Sequence, residues 1–244
     1  MQRRFVLSLP PVPCRPVVPY VEMVHDRGVV EIQRGCTQGC RFCQAGFIYR
    51  PLRQRPLEEV LEMVEAIERS TGYEEIALLS LSSCDHPQIE DMVRALVERY
   101  KEPPLAISLP SLRIDSFSVE LGELMQGRRK TGLTFAPEAG SQRLRDVINK
   151  KVTEEDMLRT AQAAYSRGWQ RIKLYFMIGL PTETDDDVAA IVHLVRRVWE
   201  IGRKYHGRRA RVSVSVATFV PKPHTPFQWL SLADEDVLRR RQAI

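Results

Sequence analysis

Arg34-Gly35-Cys36-Thr37-Gln38-Gly39-Cys40-Arg41-Phe42-Cys43-Gln44-Ala45-Gly46 is the stretch on which the reading of this chain turns. Three thiolates in the order C-x3-C-x2-C can hold three corners of a four-iron cluster, because soft sulfur ligands suit iron–sulfur chemistry. The fourth iron is then left without a protein ligand, and an open coordination position is where chemistry happens. Gly35 and Gly39 let the backbone fold tightly round the metal, which a Cβ would resist. Two plainer readings stand beside this one, a structural zinc site and three unpaired core thiols. Tetrahedral zinc wants four ligands. His25 lies well upstream and Cys84 far downstream, so neither completes such a set nearby, and the iron–sulfur reading is favoured.

Outward from this loop the chain alternates strands and helices. Val29–Arg34 reads as a strand leading straight into it. Leu57, Val60, Leu61, Val64 and Ile67 recur at helical spacing, which predicts an amphipathic helix over 56–70. Glu75–Leu81 is the second strand, and Ile89, Met92, Val93, Leu96, Val97 and Tyr100 mark the second helix. Leu105–Leu109 is a third strand, followed by a short helix near 117–126, and Thr131–Ala136 is a fourth. One helix is expected from Ser141 and another from Thr153, an N-cap followed by Glu154, Glu155 and Asp156. Arg171–Ile178 is the fifth strand. Thr184 then opens a long helix to about Tyr205, with Val188, Ile191, Val192 and Val195 as its inner stripe. Arg211–Val220 is the sixth strand, and 233–241 reads as the start of a helix cut short.

Six strands separated by helices predict an α/β fold of parallel βαβ units, with no internal repeat. A closed eight-stranded barrel takes about 250 residues, and two strands are lacking. One face of the later strands is small or polar: Ala106 and Ser108, Thr134, Ala136 and Glu138, Lys173, Tyr175 and Met177, Ser213, Ser215 and Ala217. The opposite face is large and apolar. Because parallel sheets are usually covered on both sides, the small face is expected to line a space for a ligand.

The cysteine triplet, with Phe42 just before its last member, resembles the signature of the radical S-adenosylmethionine (radical SAM) enzymes, and the likeness runs over 29–230. It implies a six-stranded (β/α)6 partial TIM barrel open at one side, a [4Fe-4S] cluster on Cys36, Cys40 and Cys43, and SAM as the molecule cleaved to a 5′-deoxyadenosyl radical. A reductant such as flavodoxin or ferredoxin is implied as a partner. Further elements carry the likeness: Glu138-Ala139-Gly140-Ser141 resembles the Glu-x-Gly-Ser element of methylthiotransferases, and Gly179-Leu180-Pro181 the family's Gly-x-Pro turn. Pro221-Lys222-Pro223-His224-Thr225-Pro226 resembles a segment of methylthiotransferases and B12-linked members. The resemblance makes Phe42, Ser82, Ser83, Ser108, Glu138, Arg145, Lys173, Gly179 and Leu180 the candidates for cofactor contact. Ser82 and Ser83 stand where the family often has glycines against the SAM amino group. Glu138 faces ribose or ammonium, with helix capping as its plainer reading. Arg143 or Arg145 is expected to pair with the SAM carboxylate, against a solvated face for both. Phe42 and the Gly179 turn enclose adenine.

The nearest likeness is to proteins in which a B12-binding domain precedes the core. Residues 1–28, with Pro10, Pro11, Pro13, Pro16 and Pro19, read as a linker to such a domain. Cobalamin is thus expected only with a further N-terminal domain, and 231–244 as the start of a truncated helix. Five cysteines, three of them clustered, argue for a reducing, cytoplasmic setting and against a disulfide framework. Cys14 and Cys84 read as packed thiols, and His224 as a satisfied loop histidine. No secretory signal or membrane span is visible. A net charge of +5 allows an anionic partner such as RNA, but Arg50/Arg53/Arg55 and Arg208/Arg209/Arg211 lack interleaved aromatics and read as solvated surface. Methylthiotransferase-like sulfur insertion on RNA or protein is a second reading. An iron–sulfur electron-transfer or structural module that never binds SAM is a third.

Overall fold

The computed structural model describes residues 9–21, 23–102, 104–110, 114, 121 and 132–244. In chain order its elements begin with β1 (Gly28–Glu31), β2 (Gln33–Arg34), α1 (Ala45–Ile48), β3 (Arg53–Gln54) and α2 (Leu57–Thr71). They continue with β4 (Glu75–Leu79), α3 (Ile89–Arg99), β5 (Ala106–Ser108), β6 (Leu133–Glu138) and α4 (Gln142–Val147). The last are α5 (Glu154–Ser166), β7 (Arg171–Ile178), α6 (Asp185–His206), β8 (Arg211–Thr218) and α7 (Glu235–Gln242). The helix expected near 117–126 lies outside the described residues. Two compact units divide the chain: Met1–Cys36 with Tyr49–Leu112 and Glu120–Arg128, and Thr37–Ile48 with Arg113–Val119 and Arg129–Ile244.

The first unit holds a parallel three-stranded sheet in the order β1-β4-β5. Its core is Val30, Ile32, Ile76 and Leu78 from the strands against Val60, Val64 and Ile67 of α2 and Met92, Val93 and Leu96 of α3. These helical positions repeat every three or four residues, so one face of each helix meets the sheet. Gly72 ends α2 at φ 69, a left-handed conformation that costs glycine little. The expected strand Val29–Arg34 divides here. After Glu31 the buried Ile32 donates to Leu79 O (3.0 Å) and accepts from Arg55 N (2.9 Å). Gln33 and Arg34 then pair antiparallel with β3. Arg55, expected on a solvated surface, is only 2% exposed. Its guanidinium donates to Glu31 O and to Pro10 O and pairs with Glu59, so it anchors the proline-rich start to this unit.

The second unit holds a parallel sheet in the order β6-β7-β8. Register places Thr134, Lys173 and Ser213 in one row, and Tyr175 beside Ser215 in another, so the small and polar residues do share a face. On the opposite face Ile172, Leu174, Phe176 and Ile178 of β7 are buried, as expected. The same cover was expected for β8, but Val214 and Val216 keep 42% and 49% exposure because β8 is the outer strand of its sheet. Capping boxes at Thr153 and Thr184 start α5 and α6. The inner stripe of α6 is Val188, Ile191, Leu194 and Val198. Val192, expected inside, points out at 51% exposure, since successive turns of a 3.6-residue helix carry the stripe through 191, 194 and 198.

Candidate metal and cofactor site

The cysteine loop is built by glycines and held from outside. Gly35 has φ 94, and a Cβ there would stand 2.8 Å from Tyr49 O and 3.0 Å from Pro51 O. Gly39 has φ 69. Both are therefore backbone requirements of the loop, as its sequence suggests. Within the second unit, Arg41 N donates to Ile148 O (2.9 Å) and Arg41 Nη1 to Val147 O. Asn149 Nδ2 donates to Gln38 O (3.3 Å) and Gly39 O (2.9 Å). Gln44 Nε2 donates to Pro223 O (3.1 Å) in the proline-rich loop after β8. Phe42 packs against the cluster of Ala139, Leu144, Ile148, Leu180, Phe219 and Phe227. Its ring is thus part of the wall that carries the loop, and the same cluster holds Leu180. Among the described residues no three His, Cys, Asp or Glu side chains stand gathered as a metal site.

At the carboxyl end of β6 the register breaks between Phe135 and Glu138, and Glu138 adopts φ 69. A non-glycine residue in this region is uncommon and carries strain. Its carboxylate is paired with Lys150 Nζ at 3.6 Å, and both side chains are largely buried. Burial pushes the Glu138 pKa above the ordinary carboxylate value, with Lys150 pulling in the other direction. The loop that follows is gripped from two sides. A Cβ on Gly140 would meet Asp187 O and the Ala190 carbonyl carbon at 2.7 Å, and Ile191 N nearer still. Ser141 caps α4 by accepting from Leu144 N (3.1 Å) and donates its hydroxyl to Asp187. Burial raises the Asp187 pKa, but hydrogen bonds from Arg143, Ser141 and Thr184 outweigh it and hold the carboxyl well below the usual range.

Neither arginine of this helix is placed as the resemblance suggested. Arg143 pairs with Asp187 and donates to Thr182 O (2.8 Å). Arg145, with no exposed surface, donates to Ala139 O (3.0 Å), Gly140 O (2.9 Å) and Gln142 Oε1 (3.1 Å). Nη1 and Nη2 are thus spent on the loop that carries Glu138 and on Gln142, while Nε is buried without a partner among the described residues.

After β7, Gly179 sits at φ 80, where close approach of a ligand was expected. The close neighbours come from the chain itself: a Cβ would lie 2.8 Å from Leu238 Cδ2 and 3.4 Å from Ala233 Cβ. Gly179 N donates to Glu183 Oε2 (2.7 Å), which also pairs with Arg241 of α7 at 2.8 Å. Burial raises the Glu183 pKa, and the Gly179 amide and Arg241 lower it. His224 is exposed at φ 65, and its amide donates to Gln228 Oε1 (3.1 Å).

The remaining candidates lie apart along the chain. In the first unit Ser82 and Ser83 are buried, and Ser83 Oγ meets Ser80 Oγ at 2.9 Å. The Ser82 hydroxyl is buried without a hydrogen-bond partner among the described residues. A buried polar atom left unpaired is costly, and this hydroxyl can offer one of the acceptors that an ammonium group, with three N–H donors, takes up. Ser108 Oγ accepts from Arg27 Nη1 (3.4 Å), which also pairs with Glu75. Cys14 and Cys84 pack against the core of the same unit, as expected for plain thiols. In the second unit Lys173 Nζ stands 4.7 Å from the centre of the Tyr175 ring. Asn149, Lys150, Glu183 and Asp187 were not among the expected site residues. Only Asn149 left a signal, as an asparagine just past a helix end, where a left-handed residue is common.

Comparisons with known proteins identify the family and the fold. Residues 30–195 match the family model for the radical SAM superfamily. The uncharacterized protein MJ0966 of Methanocaldococcus jannaschii is 36% identical over 200 residues, covering 82% of this chain and 42% of that protein. A tRNA-2-methylthio-N(6)-dimethylallyladenosine synthase of Thermotoga petrophila is 24% identical over 188 residues, covering 74% of this chain and 42% of the synthase. The chain thus spans about two-fifths of the length of these relatives. Among solved structures, the radical SAM methyltransferase TsrM from Kitasatospora setae, with cobalamin and a [4Fe-4S] cluster bound, superposes with a TM-score of 0.65. At 18% identity, over 82% of this chain and 38% of TsrM, that is a likeness of fold. The fold is therefore the radical SAM partial barrel, and a [4Fe-4S] cluster and SAM are the cofactors that come with it. Among the described residues no helix is long and apolar enough to cross a membrane. The chain belongs to the radical SAM superfamily of enzymes.

Proposed function

We propose that Cys36, Cys40 and Cys43 hold the [4Fe-4S] cluster, that SAM binds beside it, and that the full protein uses the resulting radical chemistry for methyl transfer, with cobalamin carried by a further domain. When bound, the cluster supplies one electron to the sulfonium of SAM, breaking its C5′–S bond to give methionine and a 5′-deoxyadenosyl radical. The chain's own residues position and shield. The Glu138 carboxylate accepts hydrogen bonds from ribose or ammonium, and the Ser82 hydroxyl accepts from the amino group. The observation that carries the reading is the cysteine loop: its triplet spacing is matched by the left-handed glycines beside the cysteines and by the backbone clamps from Asn149. A low-potential reductant such as flavodoxin or ferredoxin and a cytoplasmic location suit it, since thiols stay reduced there.

Sulfur insertion of the methylthiotransferase kind, on RNA or protein, stands as the second reading. The test is anaerobic reconstitution with iron, sulfide, dithionite and SAM, reading 5′-deoxyadenosine. Product from wild type and none from Cys40→Ala supports the cluster and SAM part of the proposal, which methyl transfer and sulfur insertion share. A loaded cluster whose EPR signal ignores SAM, with no product, refutes it in favour of an electron-transfer module.

A further inference from the structure

The turn after α4 touches two things at once. On one side Ile148 O accepts from Arg41 N, and Asn149 Nδ2 donates to Gln38 O and Gly39 O, the three residues between the first and last cysteines that the second unit holds. On the other side Lys150 Nζ pairs with Glu138. The turn itself is fixed, because Lys150 N donates to Arg145 O (2.8 Å) while the Arg145 side chain grips Ala139 O and Gly140 O. Both partners adopt left-handed backbone: Asn149 at φ 55 and Glu138 at φ 69. Asparagine tolerates this conformation, but at Glu138 it is strained and persists only where the surroundings over-determine it.

The geometry points to Asn149 and Lys150 as a paired positioning element, which sets the spacing between the cysteine loop and the Glu138 carboxylate. The inference rests on the cofactor reading above and adds to it two residues that contact neither a cysteine nor Glu138 by sequence proximity. Asn149 acts through the backbone of the loop, and Lys150 acts through Glu138. A change at Asn149 should therefore be felt by a ligand held at Glu138.

Asn149→Gly keeps the left-handed backbone and removes only the two donated bonds. Lys150→Met keeps the stem and removes the cation, and Lys150→Arg restores it. In cluster-free protein, hydrogen exchange across 37–48 should quicken on the order of tenfold in Asn149→Gly, the scale of one or two lost hydrogen bonds. In reconstituted protein, SAM affinity, read from the SAM-induced change in the EPR signal, should weaken on the order of tenfold in Asn149→Gly and in Lys150→Met. Lys150→Arg should recover most of it, and the double variant should be no worse than the poorer single one, because the two act as one unit. Wild-type exchange and wild-type SAM affinity in Asn149→Gly overturn the inference, and so do fully additive effects. A wild type that loads no cluster overturns the cofactor reading and this inference with it, whereas a loaded wild type matched by its variants overturns the inference alone.

Discussion

Replacing Gly140 by alanine separates two reasons for having glycine. Gly140 needs space: its Cβ would stand 2.7 Å from Asp187 O and the Ala190 carbonyl carbon, with Ile191 N nearer. All three are backbone atoms of α6, whose first turn is locked by the Thr184 capping box and by the Ser141 and Arg143 bonds to Asp187. No flexible side chain can yield, so the loop must part from the helix. Overpacking of this kind costs about 3 kcal/mol, the upper end of its usual range. Gly72 is the opposite case. A Cβ there meets nothing within 4 Å, but φ is 69, so Gly72→Ala should cost only the left-handed penalty of about 1–2 kcal/mol. At about 2–4 °C per kcal/mol for a chain of this size, Gly140→Ala should lower the melting midpoint by about 6–12 °C. Circular dichroism melts of the two variants beside wild type measure both. A Gly140→Ala midpoint within 2 °C of wild type, or a larger loss in Gly72→Ala, refutes the steric argument.

Asp187→Asn should cost about 2–3 kcal/mol at pH 7, from a lost cap and a lost charge-assisted pair. Because the folded carboxyl lies below its unfolded value near 4, that stability is fully present above about pH 4 and disappears as pH falls through the folded value. Denaturation series of wild type and variant should therefore converge in acid, and a constant gap contradicts the assignment. The buried Tyr165 phenol, pushed up to about 12 by burial, should give a late step in an ultraviolet titration that Tyr165→Phe removes. Its stabilisation holds below the ordinary tyrosine pKa near 10 and is lost as pH rises through about 12. On the cofactor reading, SAM affinity should fall as pH drops through the raised Glu138 pKa, while Glu138→Gln binds on the order of tenfold more weakly with no such dependence.

Elements whose signal is local were legible in the sequence. The Thr153 and Thr184 helix starts and the β7 strand appear where propensity and alternation put them. Signals that depend on a neighbour were not. Val192 and Leu194 are both apolar at positions near the stripe of α6, and only what packs on the helix decides that Leu194 is inside and Val192 out. Val214 and Val216 read as a covered face because alternation reports which side a residue shares, not whether anything lies over it. Arg55 read as surface because charge in a sequence does not announce a carbonyl waiting for it, here Glu31 O and Pro10 O.

The same division runs through the site. The cysteines and the glycines beside them are a contiguous pattern whose chemistry is fixed by ligand type and spacing, so the family could be read from thirteen residues. Arg145 shows the limit of carrying a role over by position. An arginine one turn into a helix beside an acidic loop is equally suited to a carboxylate ligand or to its own backbone carbonyls, and burial settles the choice for Ala139 O and Gly140 O. Gly179 shows the complementary limit. The reason for a glycine at φ 80 is close approach, but the sequence does not say by what, and Leu238 and Ala233 of the chain's own later segment take that place. Asn149 and Lys150 went unseen because each acts on atoms far away in sequence, Gly39 O and Glu138 Oε1. What a motif exposes is the group that meets the cofactor. What holds that group in position is a long-range contact, and that is why the supporting residues had to come from the structure.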